Sequence, residues 1–255
     1  MIYILLPAYN EGENIRPLLE SIAHEARAYF PEDVQEPFPV HAVVVDDGSV
    51  DATAERTREF LGPIQLTLLQ HRQNRGLAAA LFTGIEYILG HGHEEDWIIT
   101  LDADQTHHPR YIYQLADQLK AGREVVVASR FAPGGKEYGV SLWRKVLSHG
   151  ARRVYHLCFP KLPLRDFSCG FRGFSYGALQ AARDQWGEHL LESEGFSCTG
   201  ELMLKTLAHV PPERVAEIPF ELHYEQKGGA SKMPTFQTIW GTLKLIAKAR
   251  TWLHG

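Results

Sequence analysis

Along the first half of the chain, short unbroken apolar runs alternate with longer segments in which apolar residues recur every three or four positions. Ile2–Leu6 is such a run, closed by Pro7, and it predicts a parallel strand buried on both faces. Ile15, Leu18, Leu19, Ile22, Ala23 and Ala26 then form one face of an amphipathic helix. A Pro- and acid-rich connection over 31–39 leads to a second run, His41–Val45, which ends at Asp46-Asp47-Gly48-Ser49. Asp51 is placed to cap a helix running toward Leu61. Ile64–Leu69, Trp97–Leu101 and Val125–Ala128 are three further predicted strands. Between them lie a helix bearing Leu77, Leu81, Ile85, Ile88 and Leu89 and another over 111–119. Beyond residue 130 the pattern is less regular. Trp143–Cys158 and Glu201–Ala208 have helical spacing, Val215–Pro219 that of a strand, Asp166–Phe174 is a Gly- and aromatic-rich loop, and Gly228-Gly229 is a turn.

Strand–helix alternation of this kind implies an α/β fold, a doubly wound and mostly parallel sheet with right-handed crossovers and helices on both faces. Ligands of such sheets bind beyond the carboxyl ends of the strands. The polar motifs after the first, second, fourth and fifth strands are therefore expected on one rim.

Composition narrows the classes. A chain of 255 residues, 44% hydrophobic, suits one large domain or a domain with a small appendage. The net charge of -5 removes any general attraction to nucleic acid, and no nucleic-acid-binding motif is present. Three widely spaced cysteines, Cys158, Cys169 and Cys198, do not make a disulfide framework and fit a reducing cytoplasm. The apolar start Met1–Leu6 is too short for a signal peptide, and no run of about 18 apolar residues predicts a membrane span.

The chemistry is concentrated at the strand ends. Asp102 and Asp104, two apart after the fourth strand, offer hard oxygen ligands of the kind Mg²⁺ or Mn²⁺ prefers. A divalent ion there could neutralise a leaving diphosphate; the plainer reading of Asp-x-Asp is a solvated acidic turn. Asp46 and Asp47 can accept from a base N–H or a ribose hydroxyl, while Ser49 and Asp51 serve as helix caps. After the first strand, Tyr9 offers either a stacking face for a base or plain packing. His107 and His108 are adjacent, so they do not share a face, and no further His or Cys completes a zinc spacing.

Pro7-Ala8-Tyr9-Asn10-Glu11, Asp46-Asp47-Gly48-Ser49, Asp102-Ala103-Asp104 and Ala128-Ser129-Arg130 occur in the order and spacing of the family 2 glycosyltransferases with the GT-A fold, and the chain resembles them over roughly Ile2 to Met233. It looks most like the dolichyl-phosphate mannose synthase branch, through His107-His108-Pro109, Gly134-Gly135, Arg144 with Ser148, Asp166–Arg172 and Ser231-Lys232-Met233. The resemblance implies an inverting transfer of a hexose from a nucleotide-diphosphate sugar, of GDP-mannose or UDP-glucose type, to a polyprenyl or dolichyl phosphate. Pro7, Tyr9, Glu11, Asp46, Asp47 and Arg75 would hold the donor, with Asp102 and Ala103 at its ribose and diphosphate and Asp104 the principal ligand of Mg²⁺ or Mn²⁺. Arg130, Arg144, Ser148, Arg172 and Lys232 would face the acceptor or donor phosphates, a task suited to the planar arginine fork. The chain departs from the branch at Gln226, where many members carry arginine, and at Gln105, where an aliphatic residue is usual.

A lipid-phosphate acceptor is already anionic and needs little base catalysis, whereas a sugar hydroxyl, the alternative acceptor, needs a carboxylate base, for which Asp166 is the candidate. A non-catalytic nucleotide-sugar-binding protein is the reading of another class, disfavoured by the intact acidic pair. A nucleotidyltransferase lacks support because the Gly-rich basic loop it needs after the first strand is absent, and an Asp-x-Asp phosphatase because its aspartates follow the first strand. The expected division is a transferase domain over 1–233 and a C-terminal amphipathic helix over 234–255. That helix carries Phe236, Ile239, Trp240, Leu243, Ile246, Ala247 and Leu253 with Lys244, Lys248 and Arg250 nearby, and either docks peripherally on the cytoplasmic face of a membrane or packs on protein.

Overall fold

A computed structural model describes residues 1–31, 33–224, 241, 244–249 and 252; of Arg144 and Leu147 only the helical backbone is considered. In chain order the elements are β1 (Ile2–Ala8), α1 (Ile15–Tyr29), β2 (Phe38–Asp46), α2 (Thr53–Arg58), β3 (Ile64–Gln70), α3 (Leu77–His91), β4 (Trp97–Thr100), α4 (Arg110–Lys120) and β5 (Val125–Ser129). They continue with β6 (Lys136–Tyr138), α5 (Leu142–Cys158), β7 (Arg172–Ser175), α6 (Tyr176–Trp186), α7 (Ser197–Leu207), β8 (Val215–Pro219) and β9 (Glu221–His223). Each apolar run of the first half is a strand within a few residues of its predicted ends.

Seven strands form one sheet in the order β3-β2-β1-β4-β7-β5-β8. β1 pairs in parallel with β2 and β4, β2 with β3, and β5 with β8. The central strands are buried almost completely, with Ile4, Leu5, Leu6, Val43, Val44, Ile98, Ile99 and Val125–Ala128 in the core, as continuous apolar runs require. α1 and α4 lay their apolar faces on the core through Ile15, Leu18, Leu19 and Ile22 and through Ile112, Leu115, Ala116 and Leu119.

The second half corrects the expectation at one place. Arg172–Ser175, within and just after the stretch read as a loop, is β7, an antiparallel strand between β4 and β5. Its pattern is hidden by Gly173, whose position leaves no room for a side chain: a Cβ there would sit 2.9 Å from Leu119 Cδ1 of α4. Because β7 runs against its neighbours, its start and the preceding loop enter at the carboxyl ends of β4 and β5. The topology thus adds residues 166–172 to the rim on which β1, β2, β4 and β5 end.

The predicted C-terminal stripe lies partly outside the described residues, including Phe236, Ile239, Trp240, Leu243, Arg250 and Leu253. So do Gln226, Lys227, Gly228-Gly229 and Ser231-Lys232-Met233. In the described part, 244–249 is helical, and Leu245, Ile246 and Ala249 are buried in the core while Lys244, Ala247 and Lys248 face outward. Packing on protein is the arrangement adopted there. Among the described residues no helix is long and apolar enough to cross a membrane.

Candidate functional site

The rim is assembled from loops that brace one another. After β1, Asn10 takes a left-handed φ of 55°, and the next residues are tied to the loop after β2. Asn10 N donates to Ser49 Oγ at 2.9 Å, Glu11 N to Thr53 Oγ1 at 2.8 Å, Gly12 N to Asp51 Oδ2 at 2.9 Å and Val50 N to Asn10 Oδ1 at 3.0 Å. Ser49 therefore bridges two loops instead of capping α2, and Asp51 accepts from Thr53 N at 3.0 Å as well as from Gly12. Tyr9, beside this junction, is 37% exposed. Glu11 Oε2 accepts from Asn14 Nδ2 at 2.7 Å.

Asp46 and Asp47 are both buried. Asp46 accepts from Ser49 N at 3.0 Å and from Gln70 Nε2 at 3.2 Å. Asp47 braces the loop after β3: its Oδ1 lies 2.6 Å from His71 Nδ1 and accepts from Arg75 N at 2.9 Å, and its Oδ2 accepts from Gly76 N at 2.8 Å. His71 Nε2 is in turn 2.9 Å from Thr83 Oγ1 of α3. Gly48 is required between these groups, because it has a φ of 70° and a Cβ there would lie 2.3 Å from the backbone of Gln73. The residues expected to touch a nucleoside are thus the ones that shape this side of the rim. Arg75 is exposed there and gives its backbone N–H to Asp47.

At the end of β4, Asp102 is half-buried, Ala103 and Asp104 are buried, and Gln105 has a left-handed φ of 62°. Thr106 holds Asp104 Oδ1 twice, from Oγ1 at 2.6 Å and from N at 3.2 Å. Gln105 Nε2 reaches Asn14 Oδ1 at 3.3 Å, tying the acidic loop to the loop after β1. Asp102 N donates to His107 Nδ1 at 3.2 Å, and the His107 ring stacks on Phe171 with centroids 5.2 Å apart. His107 is therefore a packed brace of the acidic loop. Among the described residues no cluster of three or more His, Cys, Asp or Glu side chains could hold a metal. Two carboxylates from the protein nonetheless suit Mg²⁺ or Mn²⁺, ions that complete their shells with water and phosphate oxygens; they do not suit zinc.

Pro7, Thr100, Asp102, Gly170, Arg172 and Thr199 line a common cleft with Leu77 and Leu81. Arg172, expected at a phosphate, is instead 1% exposed, with Nη1 on Thr199 O and Nη2 on Phe167 O at 3.0 Å. Burial holds its pKa below the usual arginine value. Its charge lies inside the protein, bordering the cleft that holds Asp102.

The other side of the rim is built around Arg130, just past β5. Its Nε donates to Asp166 Oδ2 at 2.7 Å, and its Nη2 donates to Asp166 Oδ1 at 2.8 Å and Ser168 Oγ at 2.6 Å. Asp166 is fully buried and also accepts from the backbone N–H groups of Arg130, Ser168 and Cys169. Burial alone would raise its pKa; Arg130 and these N–H donors overcome that and hold it at about 2. A carboxylate so engaged is poorly suited to take a proton from an acceptor hydroxyl, which counts against Asp166 as a base and makes it the residue that aims Arg130. Nη1 of Arg130 lies 3.2 Å from Glu137 Oε1. The Arg130 and Arg152 guanidinium groups lie over the Phe131 ring at 5.2 and 5.1 Å, linking this corner to α5. Ser148 on α5 has its Oγ buried with no hydrogen-bond partner among the described residues.

Sequence reading missed Glu137, His71 and Thr53, which meet their partners only through the fold.

Solved structures of glucosyl-3-phosphoglycerate synthase from Mycobacterium tuberculosis share this fold. One with Mn²⁺, UDP and glucosyl-3-phosphoglycerate aligns with a TM-score of 0.65 at 17% identity, covering 100% of this chain and 80% of that one. Another with Mg²⁺ and UDP gives 0.64, covering 100% and 79%. These likenesses show the fold, which is of GT-A type. Among curated proteins, a dolichol-phosphate mannosyltransferase of Pyrococcus furiosus is 28% identical over 98% of this chain and 64% of its own length. A polyprenol monophosphomannose synthase of Mycolicibacterium smegmatis is 28% identical over 69% of this chain and 62% of its own. The chain thus spans under two thirds of the length of these two relatives. The profile of Glycosyl transferase family 2 matches residues 3–182, well over half of the sequence, and the chain belongs to that family.

Proposed function

We propose that the protein is an inverting glycosyltransferase that moves a hexose from a nucleotide-diphosphate sugar to a polyprenyl-type phosphate at the cytoplasmic face of a membrane. The observation that carries the reading is the rim itself, where the acidic loop of Asp102 and Asp104 and the aimed guanidinium of Arg130 stand at the carboxyl ends of one sheet. Bound Mg²⁺ or Mn²⁺, held by Asp102 and Asp104, would neutralise the leaving diphosphate. Tyr9, with Pro7, Glu11 and Asp46 near it, would seat the nucleoside. Arg130, Ser148 and Arg144, with Lys232 from outside the described residues, would hold the acceptor phosphate in line with the anomeric carbon. A phosphate oxygen needs no base, which agrees with the engaged state of Asp166.

Two further features favour a lipid acceptor. The two curated relatives carry names of enzymes acting on dolichol or polyprenol phosphates. α5 also exposes Leu142, Trp143, Val146 and Leu157, at 82%, 65%, 61% and 82%. These residues fall on one helical face together with Arg153, and α5 contains Arg144, Lys145, Arg152 and Arg153 and no carboxylate. An apolar, cationic face of this kind suits the boundary of an anionic bilayer. It, and not the described part of the C-terminal helix, is the candidate membrane contact.

The test begins with a thermal-shift screen of GDP-mannose, UDP-glucose and related donors with Mn²⁺, since a bound donor stabilises the native state. The stabilising donor is then assayed for transfer to a short-chain isoprenyl monophosphate. Asp104→Asn is expected to lower transfer by about 10²-fold or more with metal present. Near-normal transfer by that variant would remove the acidic pair from the mechanism.

A further inference from the structure

Arg130 is held by two carboxylates of different character. Asp166 grips Nε and Nη2 with both oxygens and is itself fixed by three backbone N–H groups. Glu137 meets Nη1 alone, at 3.2 Å, and its Oε1 is buried without an aligned hydrogen bond from any described group. The side chains of the pair are only 13% and 9% exposed, so Glu137 gains little from water.

The backbone explains why a carboxylate points there. Gly135 fits against the chain just past β5, where a Cβ would lie 2.6 Å from the carbonyl oxygens of both Ser129 and Arg130. Lys136 N then donates to Phe220 O at 3.0 Å, and β6 pairs with β9. Strand alternation turns Lys136 outward, 3.4 Å from Glu221, and sets Tyr138 on His223 with ring centroids 4.8 Å apart. Residue 137 is left pointing inward, at Arg130. With β6 pinned on both sides, Glu137 can leave Arg130 only by a change of side-chain rotamer.

The charges matter. With Asp166 and Glu137 both on one guanidinium, the cluster is net negative, and a phosphate brought to Nη1 would stand beside a carboxylate. Like charges so placed repel and oppose binding. Asp166 cannot yield, because its removal would break six hydrogen bonds; Glu137 can.

We propose that Glu137 is an anion gate: it occupies the Nη1 edge of Arg130 and must swing away before an acceptor phosphate is bound there. The gate rests on the reading of Arg130 as an acceptor-phosphate ligand. It makes residue 137 a determinant of acceptor affinity, opposing weak or incidental phosphates through the displacement each must achieve.

Glu137→Gln keeps the shape and removes the charge, and its thermal melt verifies folding. Inorganic phosphate is titrated by calorimetry into wild type and variant saturated with Mg²⁺ and the nucleoside diphosphate of the stabilising donor. The KM for a short-chain isoprenyl monophosphate is measured in parallel. The gate requires phosphate to bind Glu137→Gln about tenfold more tightly, and KM to fall by a similar factor with the change concentrated in KM and not in kcat. Adding Arg130→Lys to the Glu137→Gln variant must abolish the gain. Unchanged phosphate affinity in a folded variant overturns the gate even if transfer to isoprenyl phosphate is normal. Loss of transfer with phosphate affinity and KM unchanged overturns it too, in favour of a base. If wild type transfers to no isoprenyl phosphate, the lipid reading falls, and the calorimetric comparison still decides whether Glu137 guards an anion site.

Discussion

Asp166 illustrates how burial and pairing compete at a single residue. A fully buried carboxylate without partners would be driven toward the neutral acid. Here the Arg130 fork and three backbone N–H groups reverse the sign and hold the pKa at about 2. A folded-state pKa below the unfolded value contributes stability at pH above about 4, and this contribution is lost as pH falls toward 2. Asp166→Asn removes the charge from beneath Arg130, and breaking one side of a buried pair costs about 3–5 kcal/mol. Urea unfolding at neutral pH should show that loss, and the variant should lose less further stability than wild type between pH 5 and pH 2. Equal stability of the two proteins at neutral pH would mean that Arg130 has found other partners. Asp102, Asp104 and Arg130 were legible in the linear sequence because strand ends deliver their residues to a known rim. The work of Asp47 was not, since it depends on His71 and the backbone of Arg75 and Gly76, which no spacing rule connects to it.

Among elements, the parallel strands were easy to read because a strand buried on both faces must be apolar throughout. β7 was hidden for the converse reason: only four residues long, it carries a buried arginine and a glycine that α4 requires. α5 was read correctly as a helix, but its spacing could not tell which of its faces meets protein. Tyr155 is buried against Phe167, with stacked centroids 4.5 Å apart, while Leu142, Trp143, Val146 and Leu157 face outward. If the proposed acceptor lipid brings this face to a bilayer, Leu142→Ser with Trp143→Ser should weaken co-sedimentation with vesicles containing anionic lipid by about tenfold or more, as expected for partial burial of two large apolar side chains. The thermal midpoint should barely move, because exposed side chains add little to folding. Equal partitioning of variant and wild type would exclude this face as the membrane contact.

At the scale of the molecule, the described C-terminal residues complete the core and do not hang from it. α7 is buried on nearly every side, which a helix at the edge of a domain would not be. Its cover includes Leu245, whose Cδ2 lies 3.1 Å from where a Cβ on Gly200 would be, and Gly241, where a Cβ would come within 2.5 Å of Ser197 Oγ. Trp252 adds to the cover: the buried Lys205, paired with Glu201 at 2.7 Å, has its ammonium 4.8 Å from the Trp186 ring and 4.7 Å from that of Trp252. Truncating Leu245 to alanine should therefore act on folding. A buried leucine lost without repacking costs about 3 kcal/mol, roughly 6–12 °C in Tm for a domain of this size. The same substitution should leave vesicle partitioning unchanged at temperatures where the variant stays folded. The α5 and Leu245 variants thus form a crossed pair, one moving membrane affinity without stability and the other stability without membrane affinity. If Leu245→Ala instead lost vesicle binding while keeping its Tm, the C-terminal helix would be the membrane element and its packing on α7 a state it leaves on docking.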